Sequence, residues 1–288
     1  MLGLDLTLSY NGSPVVHGAT LALEPGRITA LVGPNGSGKS TLLRALARLH
    51  PIDGGRVYLG APDADPAVTT SAESGFDASG IGKREFARRV TLLAQTRPTP
   101  AGLSVREVVE FGRHPHRGRW NRGDEHGSDV VERAMELTGI ESFADRPVDR
   151  LSGGQLQRVW LAGCLAQDTE VLLLDEPTTY LDLRYQVELL DLIKDLAVVH
   201  GVTIGVVLHD LDQAAAIADT VVLLESGQVR ATGTPRDVFE TELLSSVYGI
   251  RVDVDVVSGR IRTHARSRHS VASEVPAHTD HTSTTVVA

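Results

Sequence analysis

A chain of 288 residues with 41% hydrophobic content has enough apolar side chain for a sizeable core, and fits one large domain or two joined subdomains. Its formal net charge of -9, from 28 basic and 37 acidic residues, gives no overall pull toward nucleic acid or anionic lipid, so no nucleic-acid partner is expected. A single cysteine, Cys164, excludes an internal disulfide and a cysteine metal cluster and fits a reducing compartment.

At the start of the chain, Met1 to Asp5 has neither the basic segment nor the long apolar stretch of a leader. No later run nears the length of a membrane span, so a cytoplasmic location is expected. Leu2, Leu4, Leu6 and Leu8 alternate with Gly3, Asp5 and Thr7, the period of a half-buried strand. Leu21 and Leu23 continue that alternation in a second strand, and Pro25-Gly26 turns the chain into Ile28 to Val32, an apolar run with the look of a buried parallel strand. An antiparallel layer attached to a parallel core follows. Tyr10, at the end of the first strand, either caps it or stacks on an adenine ring.

The central strand runs into Gly33-Pro34-Asn35-Gly36-Ser37-Gly38-Lys39-Ser40 and on to Thr41, after which Leu42, Leu43, Leu46 and Leu49 keep helical spacing. Strand, glycine loop and helix stand in the order of a phosphate-binding loop. The glycines let backbone N–H groups turn into a concave nest at the positive end of a helix, closer to a phosphate than side chains allow. Lys39 is expected at the terminal phosphates and the Ser40 hydroxyl on magnesium.

Asp53-Gly54-Gly55 is a turn and Arg56 to Leu59 a short strand. From residue 61 to 82 the composition shifts to small and polar residues, which predicts a surface loop. Lys83 to Arg89 reads as a short helix, and Val90 to Leu93 as a strand ending at Gln95, where an amide can contact magnesium or the attacking water. Ser104-Val105-Arg106-Glu107 is a capping box opening a helix, and Val130 to Thr138 repeats the helical pattern up to a stop at Gly139. Between them, Arg113 to Trp120 is basic and irregular: a solvated loop or a docking surface, without the spacing of a zinc site.

Leu151-Ser152-Gly153-Gly154-Gln155 then introduces a helix over Leu156 to Ala166, a second anion-favouring helix start. Val171 to Leu174 predicts a buried strand that carries Asp175 and Glu176 to the sheet edge beside the phosphates. There Asp175 is expected to hold magnesium, and Glu176 to orient and deprotonate the water that attacks the γ-phosphate. After Asp182 an amphipathic helix carries Val187, Leu189, Leu190, Ile193 and Leu196. Thr203 to Leu208 is another buried strand, ending at His209, a structural histidine or a sensor of the γ-phosphate. Val221 to Ala231 makes a hairpin, and Arg251 to Val257 alternates like an edge strand that Ser258-Gly259 turns back through Ile261.

Together these motifs resemble the ATPase subunit of ATP-binding cassette (ABC) transporters over about residues 1 to 257. The resemblance implies an α/β P-loop NTPase core with a parallel sheet, an antiparallel β-subdomain, and a helical subdomain at about residues 96 to 150 facing membrane subunits. It implies ATP and Mg2+ as cofactors. It also implies a head-to-tail homodimer in which Ser152, Gly153, Gly154 and Gln155 of one copy close over ATP held by the other, with Asp182 linking the two sites and Tyr10 stacking on adenine. Gly112 to His116, Ala166 to Thr169, Thr178 to Asp182 and Leu208 to Ala214 are most similar to importers of iron-siderophores, haem and cobalamin. The expected role is an ATP-hydrolysing subunit energising ferric-siderophore uptake on the inner face of the membrane, working with permease subunits and, indirectly, a substrate-binding protein. Haem or cobalamin cargo and a soluble ABC ATPase acting on nucleic acid or ribosomes are the alternatives. Residues 258 to 288, with Arg260, Arg262, Arg266 and Arg268 among them, are expected to form a hairpin remnant and a solvated tail.

Overall fold

A computed structural model describes residues 1–60, 75–95, 97, 99–117, 124–179 and 181–266. The alternating leucines form β1 (Leu2–Tyr10), in which Leu6 and Leu8 are fully buried, paired antiparallel with β2 (Ser13–Ala22). Next come β3 (Ile28–Val32), buried at every position, and α1 (Lys39–Leu46). Leu49 does not extend that helix: Arg48 takes a left-handed conformation (φ 57°), the helix closes, and Leu49 is 68% exposed. β4 (Gly54–Leu59) pairs antiparallel with the other edge of β1.

Most of the expected loop, 61–74, lies outside the described residues. Its far end is not irregular: β5 (Phe76–Asp77) pairs with β4, and Asp77 accepts a hydrogen bond from the Ser79 amide at 2.8 Å. After α2 (Lys83–Ala87) and β6 (Val90–Leu93), the chain enters a helical unit of α3 (Val105–Glu110), α4 (Gly127–Thr138) and α5 (Gly153–Ala166). The capping box of Ser104 and Glu107 and the left-handed stop at Gly139 form as expected. Val108, Met135, Ile140 and Val159 fill a core of their own, so α5 completes the helical unit while leading back to the sheet.

Within the basic segment after α3, Arg113 and His116 are tied into the fold, while His114 and Arg117 stand exposed. Arg113 is 4% exposed; its Nε and Nη2 donate to the two carboxylate oxygens of Asp124 at 2.6 and 2.8 Å, and its Nη1 donates to the Ala166 carbonyl at 2.9 Å. His116 meets the Gln167 carbonyl at 2.8 Å. Residues 118–120 of this segment lie outside the described residues.

The rest of the chain alternates strand and helix: β7 (Val171–Asp175), α6 (Leu183–Val198), β8 (Thr203–Val207), α7 (Leu211–Ile217), β9 (Thr220–Glu225) and β10 (Gln228–Gly233). On α6, Leu189, Leu190, Ile193 and Leu196 face the core while Val187 is 49% exposed. The main sheet has the order β10-β9-β3-β8-β7-β6, parallel except for the β10 edge, with apolar side chains packed on both faces. Both faces being covered explains why β3, β7 and β8 are predominantly apolar and buried at every position rather than alternating. A last group comprises α8 (Pro235–Val238), α9 (Thr241–Tyr248), β11 (Arg251–Val257) and β12 (Arg260–Arg266). Among the described residues β11 and β12 pair only with each other, so the residues expected to be an edge strand form a separate hairpin straddling position 257. Of its basic residues, Arg262 pairs with Asp212 and Arg266 with Asp253; Arg268 and the remaining tail lie outside the described residues.

Candidate nucleotide site

The C-terminal ends of β3, β6, β7 and β8 converge on one edge of the main sheet, where ligands of open parallel sheets bind. β3 delivers Gly33, whose φ of 141° and closeness to β9 admit no side chain: a Cβ would stand 2.0 Å from the Leu224 carbonyl oxygen. Gly38, at φ 98°, caps α1 and starts the helix directly at Lys39. Lys39 is 4% exposed; its ammonium donates to the carbonyls of Gly33 and Pro34, both at 2.8 Å, and reaches the Ser37 hydroxyl at 3.5 Å. Burial lowers its pKa, and the carboxylates of Glu176 and Asp175 oppose that shift. Gly33, Pro34 and Ser37 thus hold the lysine, while Asn35 and Gly36 stand exposed at the tip of the loop.

Across from the loop, β7 brings up the acids. The Ser40 hydroxyl donates to Asp175 Oδ1 at 2.6 Å and the Arg44 guanidinium donates to Asp175 Oδ2 at 3.2 Å. Arg44 was not anticipated. It lies one helical turn after Ser40, and projecting α1 onto its faces would have found it. Glu176 follows in a left-handed conformation, φ 52°, which for a residue other than glycine costs on the order of 1–3 kcal/mol. That turn places its carboxylate among donors from three elements. Gln95 Nε2 donates to Oε2, His209 Nε2 meets Oε1 at 2.5 Å, and the Thr179 hydroxyl reaches Oε2 at 3.4 Å.

A cavity of about 460 Å³ separates the two sides, with Asn35, Gly36, Gly38, Lys39, Ser40 and Thr41 on one wall and Gln95, Glu176 and His209 on the other. Val15 and Thr179, also absent from the sequence-based set, complete the lining. A lysine, backbone amides and a helix N-terminus opposite a carboxylate make an anion pocket with a proton acceptor at its far wall. The Ser40 hydroxyl, the Asp175 carboxylate and the Gln95 amide are hard oxygen donors of the kind that bind Mg2+.

Other expected site residues stand outside this lining. Tyr10 is 44% exposed at the end of β1, its ring centroid 4.6 Å from that of His50 at a 40° tilt. Ser152 and Gln155 close a capping box on α5, the Ser152 hydroxyl accepting from the Gln155 amide at 3.3 Å, with Ser152 and Gly153 exposed. Gly154 is buried under the Tyr185 ring, where a Cβ would come within 2.8 Å. Asp182 caps α6, accepting from the Tyr185 amide at 3.0 Å. The second anion-favouring helix start and Asp182 therefore form one group, held together through Tyr185, that presents Ser152, Gly153 and Asp182 to the surface outside the cavity lining of the same chain.

Residues 16–179 match the family model described as ABC transporter. Over 259 residues the chain is 41% identical to the ferric enterobactin transport ATP-binding protein FepC of Escherichia coli (strain K12), covering 89% of this chain and 90% of the relative. It is 38% identical to the iron(3+)-hydroxamate import ATP-binding protein FhuC of Bacillus subtilis (strain 168), covering 88% of each. Among solved structures, the dimeric MJ0796, a bacterial ABC transporter cassette, superposes with a TM-score of 0.68 at 25% identity, covering 82% of this chain and 99% of that one.

Proposed function

The chain belongs to the ABC transporter ATP-binding family, whose members bind ATP, and from that premise we propose that it hydrolyses ATP to energise uptake of a ferric siderophore through separate membrane subunits. The cargo rests on the iron-siderophore relatives and on the extent of the match, about nine-tenths of both chains for the Escherichia coli protein. The catalytic reading rests on one observation: Gln95 and His209 converge on the Glu176 carboxylate across a cavity from Lys39 and Ser40.

Lys39 and the Gly36 to Thr41 amides bind the β- and γ-phosphates, and Tyr10 with His50 offers a flat exposed face to adenine. Ser40, Asp175 and Gln95 would hold Mg2+, which when bound neutralises charge on the phosphates. Glu176 orients a water and takes its proton as the water oxygen bonds to the γ-phosphorus and the bond to the β-phosphate oxygen breaks, releasing ADP and phosphate. His209 and Gln95 hold Glu176 in position and meet the γ-phosphate side of the cavity. Two copies pair head to tail, so that Ser152, Gly153, Gly154 and Gln155 of one cover the nucleotide of the other and Asp182 crosses the interface. The exposure of Ser152, Gly153 and Asp182 outside their own chain's cavity supports this pairing, as does the dimeric cassette.

No helix among the described residues is long and apolar enough to cross a membrane. The protein sits on the inner face of the cell membrane, held by permease subunits that receive cargo from a binding protein. The helical unit, with Phe111 57% exposed beside α3, provides the contact.

The test is uptake of labelled ferric siderophore, haem and cobalamin in cells carrying wild-type or Glu176→Gln protein. Glu176→Gln should keep ATP binding, slow hydrolysis by about 100-fold to 10,000-fold and abolish siderophore uptake alone. Loss of only haem or cobalamin uptake would move the cargo. Normal turnover by the variant would remove Glu176 as the base.

A further inference from the structure

The first turn of α7 carries two side chains that the hydrolysis scheme leaves unused. Asp212 accepts from the Thr263 amide at 2.8 Å, from the Thr263 hydroxyl at 2.9 Å and from Arg262 at 3.1 Å, fastening β12 to α7. Gln213, the next residue, accepts from the Thr178 hydroxyl at 3.0 Å and donates to Gln186 Oε1 at 3.3 Å; Gln186 in turn donates to the Thr178 carbonyl at 3.3 Å. Thr178 lies two residues past Glu176, and Gln186 lies in the first turn of α6, behind Asp182. His209 precedes Asp210, the residue that caps the same turn of α7 by accepting from the Gln213 backbone amide at 3.0 Å.

Helix α7 has only seven residues, so its position is set by what its ends and faces hold rather than by its own length. Leu211, Ala214 and Ile217 bury one face in the core. The polar side is bolted at two points, to the hairpin and to the segment following Glu176. The hairpin is itself well fixed. Val252 is buried, its amide donates to the Ser245 hydroxyl at 2.9 Å, and the Val254 amide donates to the Thr241 hydroxyl at 3.2 Å, both hydroxyls belonging to α9. Asp212 therefore joins α7 to a braced body rather than to a loose end.

We infer that Asp212 and Gln213 are positioning residues for hydrolysis: the C-terminal hairpin, through Asp212, sets the first turn of α7, and Gln213 ties that turn to Thr178, so that His209 meets Glu176 in register. The inference rests on the roles given above to Glu176 and His209. Neither Asp212 nor Gln213 lines the cavity, so their effect falls on turnover and not on nucleotide affinity.

The experiment measures kcat and KM for MgATP, with unfolding midpoints, on full-length wild type, His209→Ala, Asp212→Ala, Asp212→Asn, Thr263→Val and the double variant Asp212→Ala/Thr263→Val. Asp212→Ala should lower kcat about fivefold with KM held within about twofold. Asp212→Asn keeps an acceptor oxygen for Thr263 and should recover much of the loss. The double variant should be no worse than Asp212→Ala, because both changes remove one shared contact. Wild-type kcat in Asp212→Ala beside an impaired His209→Ala would overturn the inference, as would a lowered midpoint with kcat unchanged. Wild-type turnover by His209→Ala would instead sink the role of His209, and the inference with it. Where Asp212→Ala fails to fold, Thr263→Val, which deletes a single hydroxyl, decides: reduced kcat at constant KM supports the inference and wild-type kcat refutes it.

Discussion

Replacing Arg113 by methionine tests whether the segment after α3 is a structural clamp. The guanidinium, 5% exposed at its side chain, makes two hydrogen bonds to Asp124 and one to the carbonyl of fully buried Ala166. Arg113→Met keeps the apolar stem but leaves a carboxylate and a buried carbonyl without their donor. Breaking a buried ion pair from one side costs about 3–5 kcal/mol. The Asp124 side chain retains 15% exposure, so water can partly resolvate it and the lower end, about 3 kcal/mol, is expected. Urea unfolding followed by tryptophan fluorescence reads this out, because Trp160 packs against the core of the helical unit. The paired variant Arg113→Met/Asp124→Leu removes both charges and should recover most of the loss. A cost under about 1 kcal/mol for Arg113→Met, the range of an exposed ion pair, would refute the clamp.

The Arg113 hydrogen bonds also hold the Asp124 carboxyl below its ordinary pKa of 3.8. Its contribution is therefore present above that value and lost as pH falls through the folded pKa, so wild type should lose more stability in acid than Arg113→Met/Asp124→Leu, as acid unfolding curves would reveal. Lys39→Ala should weaken nucleotide binding and free the Gly33 and Pro34 carbonyls; an unchanged affinity in a fluorescent-nucleotide titration would contradict the assigned role. Gly33→Ala must displace either the loop or β9, since its Cβ would overlap the Leu224 carbonyl. It should cost about 1–3 kcal/mol and reduce nucleotide binding, both readable by thermal unfolding with and without ATP.

Much of this architecture is local and therefore legible in the chain. Ile28 to Val32 declares a buried strand because four of its five residues are apolar, and Ser104 with Glu107 declares a helix start because both halves of its capping box sit within one turn. The phosphate loop and Asp175-Glu176 are contiguous motifs, and the parallel sheet brings them to one edge. Arg113 misled because its surroundings in sequence are basic and polar, while its partners are eleven and fifty-three residues away. Asp212 likewise reads as a helix-start acid until β12 folds back from fifty-one residues on. Arg48 ended α1 through a backbone conformation that its side chain does not announce.

The separation between the cavity and the Ser152 to Gln155 helix start has a kinetic consequence. On the head-to-tail pairing proposed above, a chain that holds nucleotide in one place and the residues that close over it in another gives turnover that depends on meeting a second copy. In dilute solution the rate per chain should climb with protein concentration. Two copies hung from one membrane pair escape this dependence, because a short tether supplies an effective concentration of about millimolar order however sparse the protein is. Specific activity is then a property of the assembly, and the membrane pair sets it by holding two chains within reach of each other.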